Sequence, residues 1–212
     1  MTQPQTPPSS QQMLQRHLRI TKPSPWVERF SPLIPKDGAV LDLAAGGGRH
    51  SLYLLEKGYH VTAIDQNEAP LTALTTHKNA EILSADLETE PLPFAIGGIL
   101  SGRQFDGVVC INYLYRPLLD DLIAAVKPGG VLIYETFMLG NEDFARPRNP
   151  DHLLKNQELL DRVQGHMQIV AFEQGEIRQG DIPGVKQRLC AVRDLNLSTR
   201  ADGQPKPHRL YP

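Results

Sequence analysis

The chain lacks most of the features that announce a specialised environment. It holds two cysteines in 212 residues, Cys110 and Cys190. Both lie in apolar, strand-like runs, which fits buried free thiols in a reducing compartment better than a disulfide or a metal pair. No metal site is expected. No run approaches the ~20 apolar residues that a membrane span needs. The opening Met1-Thr2-Gln3-Pro4-Gln5-Thr6-Pro7-Pro8 is polar and proline-rich, without the apolar centre of a signal peptide. A cytoplasmic protein with no membrane contact is the expectation. Neither sign of charge dominates: 22 Lys and Arg face 24 Asp and Glu, for a net charge of −2. The basic excess of a nucleic-acid binder is therefore missing. What remains is a chain with 40% hydrophobic and 22% charged residues, the profile of one ordinary globular domain with a sizeable core. A monomer or weak homodimer is expected.

Against these absences stands one dense motif, Val40-Leu41-Asp42-Leu43-Ala44-Ala45-Gly46-Gly47-Gly48-Arg49-His50-Ser51. A short apolar run carries a carboxylate, passes through a glycine-rich turn and enters a helical pattern. Strand, turn and helix in that order build a nucleotide cradle. Without a Cβ, Gly46, Gly47 and Gly48 let the backbone approach a ligand closely and take positive φ. Free N–H groups at the start of the helix favour a negative or polar ligand edge. The dinucleotide fingerprint G-x-G-x-x-G is not completed: one frame gives Ala44, Gly46, Arg49 and the other Gly46, Gly48, Ser51. No Lys-Ser/Thr follows the glycines, which excludes a P-loop. Asp42 also sets a negative charge where a pyrophosphate would lie, which is tolerable for a cationic ligand and costly for a doubly anionic one. The ligand that fits best is S-adenosylmethionine, with its ammonium and sulfonium groups. The rival reading, an oxidoreductase with a nicotinamide cofactor, is disfavoured by Asp42 and the missing third glycine.

Five motifs in order resemble those of class I S-adenosylmethionine-dependent methyltransferases, over roughly residues 38 to 137. Asp42-Leu43-Ala44-Ala45-Gly46-Gly47-Gly48 is similar to their D/E-x-G-x-G-x-G, with Ala44 in place of the first glycine. Val61-Thr62-Ala63-Ile64-Asp65 resembles the second strand, whose terminal acid holds the ribose hydroxyls. Ile82-Leu83-Ser84-Ala85-Asp86-Leu87 resembles the third strand and its adenine-edge Asp. Phe105–Asn112 and Lys127–Ile133 resemble the fourth strand and the turn into the fifth. Within the class, Gly48-Arg49-His50-Ser51-Leu52-Tyr53-Leu54 resembles the tellurite-resistance methyltransferases and their small relatives.

The rest of the chain alternates strand and helix patterns. Strands are predicted near 39–43, 60–64, 81–85, 105–111, 131–137, 167–174 and 186–193. Helices are predicted near 47–57, 68–75, 116–126 and 156–164. Such alternation implies an α/β Rossmann-like three-layer sandwich. Its seven-stranded sheet is mostly parallel, and ligands bind at the carboxyl rim of the strands. The last two strands lie too close in sequence for a crossover helix and should form an antiparallel hairpin. Residues 1–23 read as a flexible arm, with a short helix possible over Gln11–Ile20. Residues 24–193 form the methyltransferase domain and 194–212 a polar tail. Trp26, Val27 and Phe30 share one helical face, either packed in the core or laid as a flap over the cofactor. The stretch 138–155 is long and reads as a lid.

Site candidates follow. Asp42, Ala44, Gly46, Gly47 and Gly48 form the cradle, and Arg49 is placed to pair with the methionine carboxylate. Asp65 can accept two hydrogen bonds from vicinal hydroxyls, with Gln66 at the adenine or ribose rim. Asp86 can accept the adenine amino proton, and Leu87 offers backbone contact. Asn112 is expected to support the sulfonium end through its carbonyl oxygen or backbone. Tyr113 and Arg116 follow the fourth strand and, with Asn141 and Arg146 in the long loop, are substrate candidates. Glu135 is a carboxylate in an apolar strand and needs a partner; Arg146, Arg148 and Arg116 are the candidates. Glu135, Tyr115 and His50 are the contenders for a catalytic base. The resulting expectation is in-line methyl transfer to a small-molecule acceptor, which the subfamily resemblance suggests is anionic or a metalloid. The alternative is a non-catalytic S-adenosylmethionine-binding module.

Overall fold

The structure is a computed structural model that describes residues 20–178, 182–198 and 200–210. Strand β1 (Ala39–Leu43) leads through the glycine turn into helix α2 (Arg49–Glu56), after an initial helix α1 (Pro25–Phe30). Then come β2 (His60–Asp65), β3 (Ala80–Ser84), β4 (Phe105–Ile111), α3 (Leu119–Ala124), β5 (Val126–Phe137), α4 (Glu158–Val163), β6 (Gln168–Ile177) and β7 (Gly184–Val192). The seven strands lie in the order β3-β2-β1-β4-β5-β7-β6. Strands β1 to β5 pair in parallel, while β7 pairs antiparallel with both β5 and β6. The predicted α/β Rossmann-like sheet with its C-terminal antiparallel hairpin is thus the fold observed. The strand order reverses between β1 and β4, which opens a crevice at their carboxyl ends.

Apolar residues cover both faces of the sheet. One cluster joins Leu41, Leu43, Val108, Leu132 and Tyr134 to Leu119 and Leu122 of α3 and Leu159 of α4. The other joins Val40, Val109, Ile133 and Cys190 to Leu54 of α2 and to Trp26, Val27 and Phe30 of α1. Core packing is therefore the role of Trp26 and Phe30, not a flap. Trp26 is 2% exposed, stands edge-on to Phe30 at 4.6 Å and donates its Nε1–H to the Leu189 carbonyl at 3.1 Å. Burial of a side chain of this kind contributes about 2 kcal/mol. Cys110 and Cys190 are free thiols, each pushed up to about 12 by burial.

Some boundaries differ from the sequence expectation. Helix α2 starts at Arg49 because Gly48, at φ +74°, lies in the left-handed region as its N-cap. The segment expected as a helix over 68–75 is a run of 3₁₀ turns, Ala69–Thr76. Thr72, Thr75 and Thr76 each donate a hydroxyl to the carbonyl three residues back, and such local bonds compete with regular helix. The helix expected over 116–126 opens with a 3₁₀ turn, Arg116–Leu118, and ends at Ala124. Strand β5 already begins at Val126, so Gly129 and Gly130 lie within it rather than ahead of it. The helix expected over Gln11–Ile20 falls outside the described residues except for Ile20. No described helix is long and apolar enough to cross a membrane.

Candidate active site

The crevice is built by the turn after β1. Ala44, Gly46 and Gly48 have φ of +55°, +57° and +74°, so the chain reverses tightly between strand and helix. The two glycines differ in their surroundings. A Cβ on Gly48 would come within 3.0 Å of Leu71 Cδ2, whereas a Cβ on Gly46 would meet nothing within 4 Å. Gly48 is glycine for packing against the core; Gly46 borders open space on the ligand rim, and Gly47 is exposed.

Asp65, at the end of β2, organises this turn. Its Oδ2 accepts the Gly46 N–H at 2.8 Å and its Oδ1 accepts the Asn67 N–H at 3.0 Å. A carboxylate offers about four lone-pair sites, so two remain for ligand hydroxyls. Gln66 beside it is exposed. At the end of β3, Asp86 is exposed and its Oδ1 accepts the Glu88 N–H at 2.9 Å. That N–H, with the Thr89 hydroxyl, holds the Asp86 carboxyl below its ordinary value. The Leu87 side chain is buried.

Asp42, expected in the cradle with its charge toward the ligand, lies instead behind the turn. It is 1% exposed, and its Oδ2 accepts the Ser51 hydroxyl at 2.6 Å. It therefore ties β1 to the first turn of α2. Burial pushes its carboxyl up to about 6, against the lowering effect of Ser51 and the Arg49 charge. A raised carboxyl pKa means the folded state binds its proton more tightly than the unfolded chain does. Stability is then unaffected below the unfolded value of 3.8, falls as pH rises from there to about 6, and stays reduced above;. At ~1.4 kcal/mol per unit the loss is about 3 kcal/mol. Asp42→Asn is expected to gain most of this at pH 8 and little at pH 4. Urea unfolding at the two pH values checks it, and an equal effect at both would refute it.

Arg49 donates Nη1–H to the Lys22 carbonyl at 2.8 Å, which fastens the segment before α1 to the site rim. His50 is 4% exposed on the inner face of α2. Tyr113 and Tyr115 are half-buried and pack against the core beneath the rim. The Tyr113 hydroxyl donates to Glu88 Oε1 at 3.3 Å, and burial, then Glu88, raises its pKa.

Two substrate candidates turn out to hold the long loop. Arg116 forms a bidentate pair with Glu158, Nε to Oε1 at 2.7 Å and Nη2 to Oε2 at 2.9 Å. It also donates to the carbonyls of Asp151 and Leu153, both at 2.7 Å. Asn141 is fully buried; its Nδ2 donates to the Pro147 carbonyl and its Oδ1 accepts the Val185 N–H, both at 3.1 Å. Their polar groups are committed to the loop, so neither is disposed to recognise a substrate. Arg146 is exposed on the same loop. The base of the loop is closed by a bridge between Met138 and Leu154.

Glu135 also differs from expectation. It is fully buried, and its partners come from β7 rather than from Arg116, Arg146 or Arg148. Lys186 Nζ lies 2.7 Å from Oε1 and Arg188 Nε 3.1 Å from Oε2, and the Ser24 hydroxyl donates to Oε2 at 2.8 Å. Lys186, itself fully buried, donates also to Asn112 Oδ1 at 2.9 Å. The sequence signal for this cluster was present in Lys186 and Arg188, two cations inside an apolar strand. Antiparallel pairing sets Arg188 opposite Glu135 and Lys186 opposite Phe137.

Sheet order, crevice and glycine turn together define the class I S-adenosylmethionine-dependent methyltransferase architecture. Residues 27–189 match the sequence model of a family described as tellurite resistance protein TehB, and the chain belongs to that family. Among solved structures it is similar to TehB from Haemophilus influenzae, with a TM-score of 0.59 and 22% identity over 80% of this chain and 61% of that one. It is also similar to the 1,6-didemethyltoxoflavin-N1-methyltransferase of Burkholderia thailandensis, with a TM-score of 0.58 and 17% identity over 84% and 78% of the two chains. A ubiquinone biosynthesis O-methyltransferase from Azotobacter vinelandii is 34% identical over 116 residues, 52% of this chain and 48% of the relative. The chain spans about half the length of the curated relatives it matches.

Proposed function

We propose that this chain is a methyltransferase that uses S-adenosylmethionine and acts on a small molecule. The observation that carries the reading is the pairing of Asp65 with the glycine turn. A carboxylate at the end of β2 clamps Gly46 and still has acceptor sites left, beside a backbone that opens onto empty space. Family membership and the named activities of the relatives support it. Gly46, Gly47 and Asp65 would hold the nucleoside, with Gln66, Asp86 and the Leu87 backbone at its base edge. Bound there, the cofactor supplies an electrophilic methyl group on a sulfonium.

The protein then has to align the acceptor and keep water out, and proximity in a dry pocket supplies most of the acceleration. The loop over 138–155 serves this role, held by Arg116 and Asn141. A proton acceptor is needed only where the nucleophile must lose a proton. Of the three contenders, Glu135 and His50 are buried and Tyr115 is half-buried against the core. The family description favours an anionic or metalloid acceptor.

Titration calorimetry with S-adenosylmethionine and with NADH tests the reading. Micromolar binding of the first and none of the second is expected; the reverse would overturn it. Release of S-adenosylhomocysteine in the presence of potassium tellurite separates a catalyst from a binding module.

A further inference from the structure

The cluster around Lys186 determines which atom of Asn112 faces the site. An ammonium group has three donors and no acceptor. The Asn112 atom 2.9 Å from Lys186 Nζ must therefore be the amide oxygen; the usual ambiguity between amide O and N does not arise. Lys186 is held in turn by Glu135 Oε1 at 2.7 Å, and Glu135 by the Ser24 hydroxyl at 2.8 Å. Ser24, Glu135 and Lys186 are all fully buried, so the chain of bonds is shielded from solvent and rigid. The Asn112 backbone is fixed as well. It takes φ +59°, and its N–H donates to the Glu135 carbonyl at 2.7 Å. Among the described residues no acceptor meets the Asn112 Nδ2, and the residue is half-buried at the carboxyl end of β4, beside the crevice.

We propose that Asn112 enters the site as an N–H donor and recognises an oxygen atom of a ligand, with Lys186 as the positioning residue that sets this polarity. Of the two sequence expectations, the side-chain oxygen or the backbone of Asn112 at the sulfonium, this reverses the first. It rests on the methyltransferase reading, and it narrows the ligand group to a hydrogen-bond acceptor such as a carboxylate or an oxyanion. That oxygen belongs either to the methionine carboxylate of the cofactor or to the methyl acceptor.

Asn112→Asp provides the sharpest test. It keeps an oxygen facing Lys186 and tolerates the left-handed backbone, while the site-facing atom changes from donor to acceptor. Affinities for S-adenosylmethionine and S-adenosylhomocysteine are read by calorimetry, and the KM for potassium tellurite by S-adenosylhomocysteine release. A loss of about tenfold or more in both affinities assigns the oxygen to the methionine carboxylate. A comparable rise in KM with both affinities kept assigns it to the acceptor. Tighter S-adenosylmethionine binding with unchanged S-adenosylhomocysteine binding would place the residue against the sulfonium rather than against a ligand oxygen, and would overturn the proposal. So would no change in any of the three. The double variant Glu135→Gln/Lys186→Met removes the charge pair and frees the amide to rotate. It should shift the same quantity in the same direction by a smaller factor, and a quantity left at the wild-type value removes Lys186 as the positioning residue. Wild-type protein that fails to bind S-adenosylmethionine at all would refute the underlying reading instead.

Discussion

Lys186→Met is expected to lower the stability of the fold by about 3 kcal/mol, the lower end of the 3–5 kcal/mol seen when a buried ion pair loses one partner. The variant leaves the fully buried Glu135 carboxylate without the ammonium at 2.7 Å. Arg188 Nε at 3.1 Å and the Ser24 hydroxyl at 2.8 Å remain and soften the loss. A cation–π contact with Phe137, with Nζ 4.8 Å from the ring centroid, disappears as well. The double variant Glu135→Gln/Lys186→Met should recover most of the stability, because a neutral amide costs far less to bury than an unbalanced carboxylate. Urea unfolding midpoints compare the two. A single variant as stable as wild type, or a double variant no better than the single, would show that the pair does not matter in the way described.

Asp65→Ala is expected to weaken S-adenosylmethionine binding by roughly tenfold or more, the scale of one lost charge-assisted hydrogen bond. Two effects add. The acceptor sites proposed for the ribose hydroxyls vanish, and the Gly46 N–H loses the partner that holds the turn in its left-handed geometry. Asp65→Asn should fall in between, since one amide oxygen can still serve one of the two N–H donors. Asp65 is half-buried, so thermal unfolding should change little in either variant. Calorimetry that finds wild-type affinity in Asp65→Ala would remove the residue from the site.

These two residues differ in how visible they were beforehand. Asp65 ends an apolar run at a fixed distance from a glycine turn, and strand-terminal acids of this kind are local features of the chain. The need of Glu135 for a partner was equally visible, since an isolated carboxylate in an apolar strand must be balanced. Its partner was not, because β5 and β7 meet through a register about fifty residues apart in sequence that only the folded sheet sets. The nearer arginines were the natural candidates, and Arg116 instead pairs with Glu158.

The same division runs through the whole molecule. Local order of apolar, glycine and acidic residues determined the strands, the glycine turn and the α/β sheet, because these depend on backbone sterics and on periodic burial. Tertiary structure decided which way each polar side chain faces: Trp26 into the core, Asn141 and Arg116 into the loop, and the Asn112 amide with its oxygen toward Lys186. Those choices are made by contacts between strands and loops distant in sequence, where a buried donor or acceptor takes whatever partner the packed chain brings within reach.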